Sequence, residues 1–251
     1  MKAVILAGGE GTRLRPYTTV LPKPLMPVGN FPIAETLVRQ LRHYGVCEIT
    51  FAVGYLHQLI EAYFGDGSKW GVSISYLHED QPLGTAGPLA KLPQFPEPLI
   101  VLNGDILTDL DFAGLYKKHL DSNAEITIAA YSKRVKIDLG VLETDRNLRL
   151  CEYIEKPEYS LKVSMGIYVI SPSVLPYIPA ETRFDFPDLV HKLLDNDKKI
   201  QTFPFEGIWL DIGRSDDYAG ATEMYEQNLA RLLPANAAHS NAAMQRTVKS
   251  P

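Results

Sequence analysis

The sequence predicts an α/β fold built on a mostly parallel, doubly wound, Rossmann-like sheet with helices on both faces. An uncharged apolar run at residues 3–7 is typical of a strand buried on both faces. Strand and helix patterns then alternate through the first half of the chain, which favours parallel strands joined by helices. Shorter strand candidates in the second half predict a small antiparallel extension of this sheet.

The elements of the first half follow from residue spacing and from turn residues. Ile33, Leu37, Leu41 and Tyr44 recur at helical spacing, and Gly45 stands where a helix would end. By the same reasoning we expect, in chain order, a strand at 48–53, a helix at 56–64, a turn at 65–67, strands at 72–77 and 99–102, a helix at about 112–120 and a strand at 125–131.

The second half is more fragmented. Asp185 is placed to cap a helix over 186–194, and Ser215 to begin a final helix that reaches Leu232. The strand candidates that we assign to the antiparallel extension lie at 140–143, 150–155, 166–170 and 200–205.

Composition limits the classes of function. A chain of 251 residues that is 45% hydrophobic can bury one large core, so we expect a single domain at 1–233, followed by a disordered tail at 234–251. A net charge of −5 and a pI near 5.7 argue against a nucleic-acid partner. No run approaches the ~20 apolar residues that span a bilayer, and the N-terminus lacks a signal-peptide pattern, so we expect no membrane partner and a cytoplasmic location. Cys47 and Cys151 lack metal-ligand spacing and are expected to be buried, unbridged thiols.

A glycine-rich segment follows the first strand. Gly8, Gly9 and Gly11 allow positive φ and let backbone amides approach a ligand, and Thr12, Arg13 and Arg15 follow them. Amides, a hydroxyl and two guanidinium groups all donate hydrogen bonds, which suits a polyphosphate. The spacing matches neither the Gly-x-Gly-x-x-Gly pattern nor the Walker pattern, so the segment is a different kind of phosphate site.

A further cation stands ten residues after Arg13. Lys23 lies between Pro22 and Pro24, whose fixed φ angles leave the lysine little backbone freedom. The sequence therefore predicts a pre-positioned positive charge close to the glycines.

The combined pattern, Gly-Gly-x-Gly-Thr-Arg-Leu-Arg-Pro-x-Thr followed by Pro-Lys-Pro-Leu, resembles the signature of the sugar-1-phosphate nucleotidylyltransferases, particularly the mannose-1-phosphate guanylyltransferase branch. The likeness runs from residue 1 to about residue 225. It implies a nucleotidylyltransferase domain that binds a nucleoside triphosphate and a sugar 1-phosphate and releases pyrophosphate. A homo-oligomer is compatible with the resemblance.

Two acids close apolar runs at the expected ligand-binding edge of the sheet. Asp105 ends an Asn-Gly-Asp segment after the 99–102 strand, and Asp211 follows Trp-Leu. Mg²⁺ in proteins typically takes one or two carboxylates, with phosphate oxygens and water completing an octahedron. The resemblance assigns Asp105 and Asp211 to Mg²⁺.

The reaction that the resemblance implies needs no catalytic histidine. A phosphate monoester with a second pKa of about 6 is mostly dianionic at neutral pH, so it can attack the α-phosphorus without a base. The six histidines are scattered, and none is paired with an obvious nucleophile. Charge neutralisation and alignment remain to be supplied, and for these the candidate catalytic residues are Arg13, Lys23 and Asp105.

The resemblance also locates the nucleotide. The segment that begins at Glu79 resembles the base-reading loop of the family, and a carboxylate can accept the adjacent N1–H and N2–H₂ donors of guanine. Guanine is therefore favoured; uracil or thymine is the alternative, since a carboxylate also accepts a single N3–H, and Glu79 could instead cap the turn after it. The nucleotide-binding residues implied are Leu6, Ala7, Gly8, Gly9, Gly11, Thr12, Arg13, Glu79, Gly84, Thr85 and Gly104.

The sugar side is expected at the antiparallel extension. The resemblance assigns the sugar phosphate to Lys23, Gly140, Glu155, Lys156 and Gly166, although Glu155 and Lys156 could be an ordinary strand-end ion pair. The chain has Leu-Gly at 139–140 where family guanylyltransferases often have Tyr-Gly, and Ser-Met-Gly at 164–166 where they often have Asn-Ala-Gly. These departures leave the sugar open between a mannose-like and a heptose-like substrate.

Three other functions stay open at this point. The chain could be a glucose-1-phosphate thymidylyl-, uridylyl- or cytidylyltransferase. It could be a non-catalytic regulatory module that binds a nucleotide-sugar, although such a module would be expected to have lost its charged site residues, which are present here. A glycosyltransferase would need an Asp-x-Asp motif directly after a strand, and Asp109-Leu-Asp111 stands several residues too late.

Overall fold

The computed structural model describes residues 1–233, so the tail expected at 234–251 lies outside the described residues. The strands are β1 Lys2–Ala7, β2 Pro27–Val28, β3 Phe31–Pro32, β4 Glu48–Val53, β5 Ser73–His78, β6 Leu99–Asn103, β7 Ile106–Thr108, β8 Ile126–Lys136, β9 Val141–Thr144, β10 Leu150–Ile154, β11 Glu158–Ile170, β12 Ile200–Phe205 and β13 Trp209–Asp211. The α-helices are α1 Ile33–His43, α2 His57–Phe64, α3 Phe112–Ser122, α4 Phe186–Leu194, α5 Ser215–Gln227 and α6 Leu229–Leu232.

Seven strands form the main sheet, in the order β12-β8-β11-β6-β1-β4-β5. All of them run in one direction except β11, which pairs antiparallel with both β6 and β8. The chain builds outward from β1 through β4 to β5 and then returns to place β6 on the other side of β1. The strand order therefore reverses between β1 and β6, and α/β sheets bind ligands at such a point.

Alternating side chains of β1 enter two different cores. Ala3, Ile5 and Ala7 pack in the core that α1, α2 and α3 cover, whereas Val4 packs on the opposite face in the core that α4 covers. This arrangement explains the uninterrupted apolar sequence of β1, because both faces of a doubly wound sheet are buried. The predicted fold class, with helices on both faces, is confirmed.

The antiparallel extension differs in part from the prediction. The 140–143 and 150–155 candidates do form an antiparallel hairpin, β9–β10. The 166–170 and 200–205 candidates instead belong to the main sheet, and β12 is parallel to β8. Residues 158–165 do alternate between polar and apolar, so the sequence contains a signal for the first part of β11 that the prediction did not use. Its apolar members Tyr159 and Leu161 are exposed, so this part of the strand has no buried face.

Two smaller differences concern the C-terminal part and the cysteines. The final helix expected from Ser215 to Leu232 is broken at Asn228 into α5 and α6. Cys47 and Cys151 are free thiols, as expected, but both are exposed. Within residues 1–233, no helix is both long enough and apolar enough to cross a bilayer.

A buried ion pair within α1 is hydrogen-bonded to α2. Glu35 and Arg39 are only 2% and 4% exposed, and Arg39 Nε donates to Glu35 Oε1 at 2.8 Å. The Tyr63 hydroxyl donates to the other oxygen of the same carboxylate. Burial raises the pKa of Tyr63, as do the hydrogen bond to Glu35 and its negative charge, whereas the charge of Arg39 opposes the rise. Because buried charges depend on their partners, this contact is a sensitive point of the fold.

Glu35→Ala should lower the free energy of unfolding by about 3–5 kcal/mol, because it removes the carboxylate that faces the buried Arg39 charge. Urea denaturation followed by circular dichroism measures the change. The control is Glu48→Ala, which removes an exposed pair with Lys2 (Nζ to Oε2, 2.7 Å) and should cost about 0–1 kcal/mol. Equal losses in the two variants would contradict the role of the buried contact.

Candidate functional site

The carboxyl ends of four neighbouring strands meet at one edge of the main sheet. Ala7 of β1 pairs with Val53 of β4, Val53 pairs with His78 of β5, and Leu6 of β1 pairs with Asn103 of β6. The segments that follow β1, β5 and β6 line a cavity of about 560 Å³, a volume typical of small-molecule sites. The switch point between β1 and β6 therefore carries the candidate site.

All of the residues predicted for the nucleotide and the metal lie together in this cavity. Positions from the glycine loop, the β5–α3 region and the short strand β13 all contribute to its wall. The predicted residues that line it are Leu6, Ala7, Gly8, Gly9, Gly11, Thr12, Arg13, Lys23, Glu79, Gly84, Thr85, Gly104, Asp105 and Asp211.

The loop after β1 coils back on itself and brings Lys23 to the cavity. Gly11 has φ of +62°, and a Cβ at this position would stand 2.9 Å from Thr18 Cγ2. The Thr18 hydroxyl donates to the Gly11 carbonyl at 2.8 Å, and Leu14 is fully buried. These contacts fix the loop so that Lys23, only 8% exposed, faces the site.

Two carboxylates converge beside Lys23. The Lys23 ammonium donates to Asp105 Oδ2, while Asp105 Oδ1 is buried and has no hydrogen-bond partner within the described residues. The pairing of β13 with β7 sets Asp211 opposite Ile106, next in sequence to Asp105. Burial raises the pKa of the Asp211 carboxyl, and the nearby charge of Asp105 raises it further.

Arg13 approaches the same pair of acids from the glycine loop. A Cβ added to Gly213 would lie 3.5 Å from Arg13 Nη1, so the guanidinium group packs against the segment that follows Asp211. The positive charges of Lys23 and Arg13 oppose the rise in the pKa of Asp211. Two cations and two acids thus share one wall of the cavity, an arrangement suited to phosphate oxygens and a divalent cation.

Glu79 closes a turn as well as lining the cavity. Its Oε2 accepts the Leu83 N–H at 3.0 Å, which is the capping contact that the sequence left open. Its Oε1 lies so close to Gly8 that a Cβ there would overlap it. Burial raises the pKa of the Glu79 carboxyl, and the Leu83 hydrogen bond opposes that rise.

The sequence did not predict two charged residues of the lining, Arg183 and Asp185. Asp185 Oδ1 accepts from the Thr85 N–H at 2.8 Å and from the Thr85 hydroxyl at 3.1 Å, and the Phe186 N–H donates to the same hydroxyl at 2.9 Å. Gly84 has a φ of +80°, and a Cβ added to it would lie only 2.7 Å from Asp185 Oδ1. The sequence around Asp185 indicates only a helix cap, because Thr85 lies one hundred positions earlier in the chain.

The residues predicted for the sugar phosphate are divided between two places. Gly140, Glu155 and Lys156 gather at the β9–β10 hairpin, where the Tyr153 hydroxyl donates to Glu155 Oε2 at 3.0 Å, and they lie outside the cavity lining. Gly166 stands at the register shift of β11, and a Cβ there would lie 2.6 Å from the Asn103 amide nitrogen, which borders the cavity. Lys23 is the member of this set that reaches the lining.

The Asp-x-Asp sequence has structural roles. Asp109 accepts the Ile208 N–H at 2.7 Å and pairs with Arg231, and Asp111 caps α3 by accepting from Gly114 N at 2.9 Å. Neither aspartate lines the cavity. This placement removes the support for a glycosyltransferase metal motif.

Comparison with known proteins agrees with this geometry. The family described as nucleotidyl transferase matches residues 2–228. A UTP–glucose-1-phosphate uridylyltransferase from Synechocystis sp. is 38% identical over 87% of the chain, and a mannose-1-phosphate guanyltransferase from Schizosaccharomyces pombe is 38% identical over 93%. The chain spans 61% of the length of the first relative and 67% of the second.

Solved structures show the same fold. A putative glucose-1-phosphate thymidylyltransferase from Bacillus anthracis, in complex with a sucrose, has a TM-score of 0.71 at 25% identity, covering 89% of this chain and 94% of that one. HddC from Yersinia pseudotuberculosis, complexed with GMP-PN, has a TM-score of 0.68 at 25% identity, with coverages of 89% and 99%.

The contact between Thr85 and Asp185 yields a test of how the cavity wall is held. Thr85→Val keeps the shape of the side chain but leaves the Phe186 N–H without its acceptor, so we expect a loss of about 1–3 kcal/mol in the free energy of unfolding. Faster hydrogen exchange of the Thr85 and Phe186 amides should accompany it. The matched control, Thr182→Val, removes an exposed hydroxyl that donates only to Ala180 O and should change neither measurement. Unaltered exchange in Thr85→Val would refute this account of the wall.

Proposed function

The chain belongs to the nucleotidyl transferase family, and from this premise we propose that it joins a sugar 1-phosphate to the α-phosphate of a nucleoside triphosphate with release of pyrophosphate. The convergence of Arg13, Lys23, Asp105 and Asp211 in one cavity beyond β1 carries this proposal. We also propose that residues 1–233 constitute the nucleotidylyltransferase domain.

The proposed reaction forms one P–O bond and breaks another. An oxygen of the sugar phosphate attacks the α-phosphorus, and the bond from that phosphorus to the bridging oxygen of pyrophosphate breaks. The nucleophile is already anionic at neutral pH, and among the described residues the cavity lining contains no histidine, so the chain need not remove a proton. Arg13, Lys23 and the amides of the glycine loop would hold two mutually repelling anions in line.

Asp105 and Asp211 fit a divalent cation. Among residues 1–233 no group hydrogen-bonds the buried Asp105 Oδ1, while Lys23 donates to Oδ2, so one carboxylate oxygen remains for an ion. Carboxylate oxygens are the ligands that Mg²⁺ prefers, and we propose Mg²⁺ as the cofactor held by these two residues. When bound, Mg²⁺ supplies positive charge that neutralises the phosphate oxygens.

We propose GTP as the nucleotide and a mannose-like or heptose-like 1-phosphate as the second substrate. The guanyltransferase relative and the carboxylate of Glu79 in the cavity support guanine. For the sugar phosphate the proposed residues remain Lys23, Gly140, Glu155, Lys156 and Gly166. The second candidate is a glucose-1-phosphate uridylyl- or thymidylyltransferase, which the equally similar relative from Synechocystis favours.

Arg13→Ala and Lys23→Ala should each lower kcat by ~10²-fold or more, because each removes a charge that faces the reacting phosphates. Pyrophosphate release measures turnover, and circular dichroism checks folding. The control is Arg15→Ala from the same loop. Arg15, which the sequence grouped with Arg13, is exposed, pairs with Glu10 at 3.6 Å and lies outside the cavity lining. Near-normal turnover in both Arg13→Ala and Lys23→Ala would contradict the proposed chemistry.

The nucleobase can be decided with GTP, UTP, dTTP and CTP, each tested with mannose 1-phosphate, a heptose 1-phosphate and glucose 1-phosphate. We expect the highest kcat/KM with GTP, and we expect Glu79→Gln to lower that value by roughly 10- to 100-fold, because a bidentate contact to the base is lost. Asp80→Asn is the control, since Asp80 is exposed and pairs with Lys91 at 3.5 Å outside the cavity lining. Turnover of UTP or dTTP with none of GTP would refute the guanine assignment while leaving the transfer reaction standing.

A further inference from the structure

Two histidines that the proposed reaction does not use meet one carboxylate beside the cavity. His57 begins α2, Glu61 follows one helical turn later, and His78 is the last residue of β5. Glu61 Oε1 lies 2.6 Å from His57 Nδ1 and 2.8 Å from His78 Nε2. The two imidazole rings stand at 83° to each other, with their centroids 4.9 Å apart. One oxygen and two nitrogens therefore point at a common volume.

We propose that His57, Glu61 and His78 bind a borderline divalent cation of the Zn²⁺ type, at a site separate from the acid pair in the cavity. Two imidazoles and one carboxylate are the protein ligands of many three-ligand zinc sites, in which water takes the fourth position. Mg²⁺ prefers oxygen ligands, so this donor set selects against the ion proposed for Asp105 and Asp211.

The geometry needs only a small adjustment to accept the ion. The three facing atoms lie within 4.8 Å of one another. Ligands placed ~2.0–2.1 Å from a tetrahedral Zn²⁺ stand roughly 3.3 Å apart. Each nitrogen must therefore move roughly 0.5–0.7 Å away from Glu61 Oε1, from its present 2.8 or 2.6 Å, and the two nitrogens must take up the same spacing from each other. The side chains of His57, Glu61 and His78 are 31%, 34% and 51% exposed, which leaves them room to move and leaves the fourth position open to water.

The protons of the cluster can also be placed. In the arrangement seen, each histidine donates one N–H to Glu61 Oε1, and these hydrogen bonds lower the pKa of the Glu61 carboxyl. For a neutral imidazole to bind a cation through the facing nitrogen, its proton moves to the other ring nitrogen. The ion would thus replace the two hydrogen bonds with three coordinate bonds, one from each histidine and one from Glu61, and the carboxylate would keep its negative charge.

The position of the cluster joins two elements next to the cavity. His57 and Glu61 lie on α2, whereas His78 ends the edge strand β5 and directly precedes Glu79 of the cavity lining. The His78 carbonyl also accepts from Lys91 Nζ at 3.3 Å. A bound ion would tie α2 to the end of β5 and would therefore stabilise the folded chain.

The test is a Zn²⁺ titration of the full-length, tag-free chain, stripped of metal and kept in millimolar Mg²⁺ with a competing chromophoric chelator. Both exposed cysteines are replaced in every protein by Cys47→Ser and Cys151→Ser, so that thiolates cannot take the ion. We expect one equivalent to bind. The Kd for Zn²⁺ should rise by ~10-fold or more in each of three variants, His57→Ala, His78→Ala and the conservative Glu61→Gln. It should not change in His191→Ala, which removes an exposed histidine from α4.

Two further measurements bear on the same site. Co²⁺ in place of Zn²⁺ should give visible absorption bands that His78→Ala abolishes, and Zn²⁺ should raise the thermal midpoint of the parent chain but not that of His78→Ala. Binding of less than one equivalent by the parent, or an unchanged Kd in His57→Ala and His78→Ala, would overturn the proposal. Circular dichroism of each variant without metal shows whether a loss of binding reflects a loss of folding.

Discussion

Two acids and two cations have to share one partly buried wall of the cavity, and the surrounding structure serves to hold them there. Charges that repel each other do so more strongly away from bulk water, which is why burial and Asp105 together raise the pKa of Asp211. Lys23 and Arg13 offset this repulsion. Neither cation could do so without the coiled loop after β1, and Asp211 could not approach Asp105 without the pairing of β13 with β7.

The parts of the fold that the sequence predicted are those whose signal is local. β1 and β4 are mostly apolar and α4 has a capping residue, and the bounds of these three elements agree closely with the structure. The first part of β11 alternates between polar and apolar residues, but residues 158–162 are exposed on both faces and are held by pairing with β8 and not by a core. The three-residue strands β7 and β13 are too short to show a period.

The same distinction explains how much of the site could be predicted. Residues that directly follow parallel strands converge at one edge by topology, so the glycine loop, Glu79 and Gly104 could be placed together from the sequence. Asp185 reaches the cavity through Thr85, one hundred positions earlier in the chain, and only the folded structure shows that contact. Gly140, Glu155 and Lys156 follow the hairpin instead, since β9 and β10 pair with each other and not with the main sheet.

Glu79 both closes a turn and lines the cavity. A carboxylate oxygen can accept two hydrogen bonds, so the contact of Oε2 with Leu83 closes the turn without using up the group. Oε1 remains against Gly8, where even a methyl side chain would overlap it. The position of the Glu79 carboxylate in the cavity therefore depends on the absence of a side chain at Gly8, which lies on a different loop. One side chain can therefore close the loop and also be available to the base. If Glu79 recognises the base, the activity lost on changing it differs from one nucleotide to another, whereas a loss of loop closure alone lowers activity with all of them.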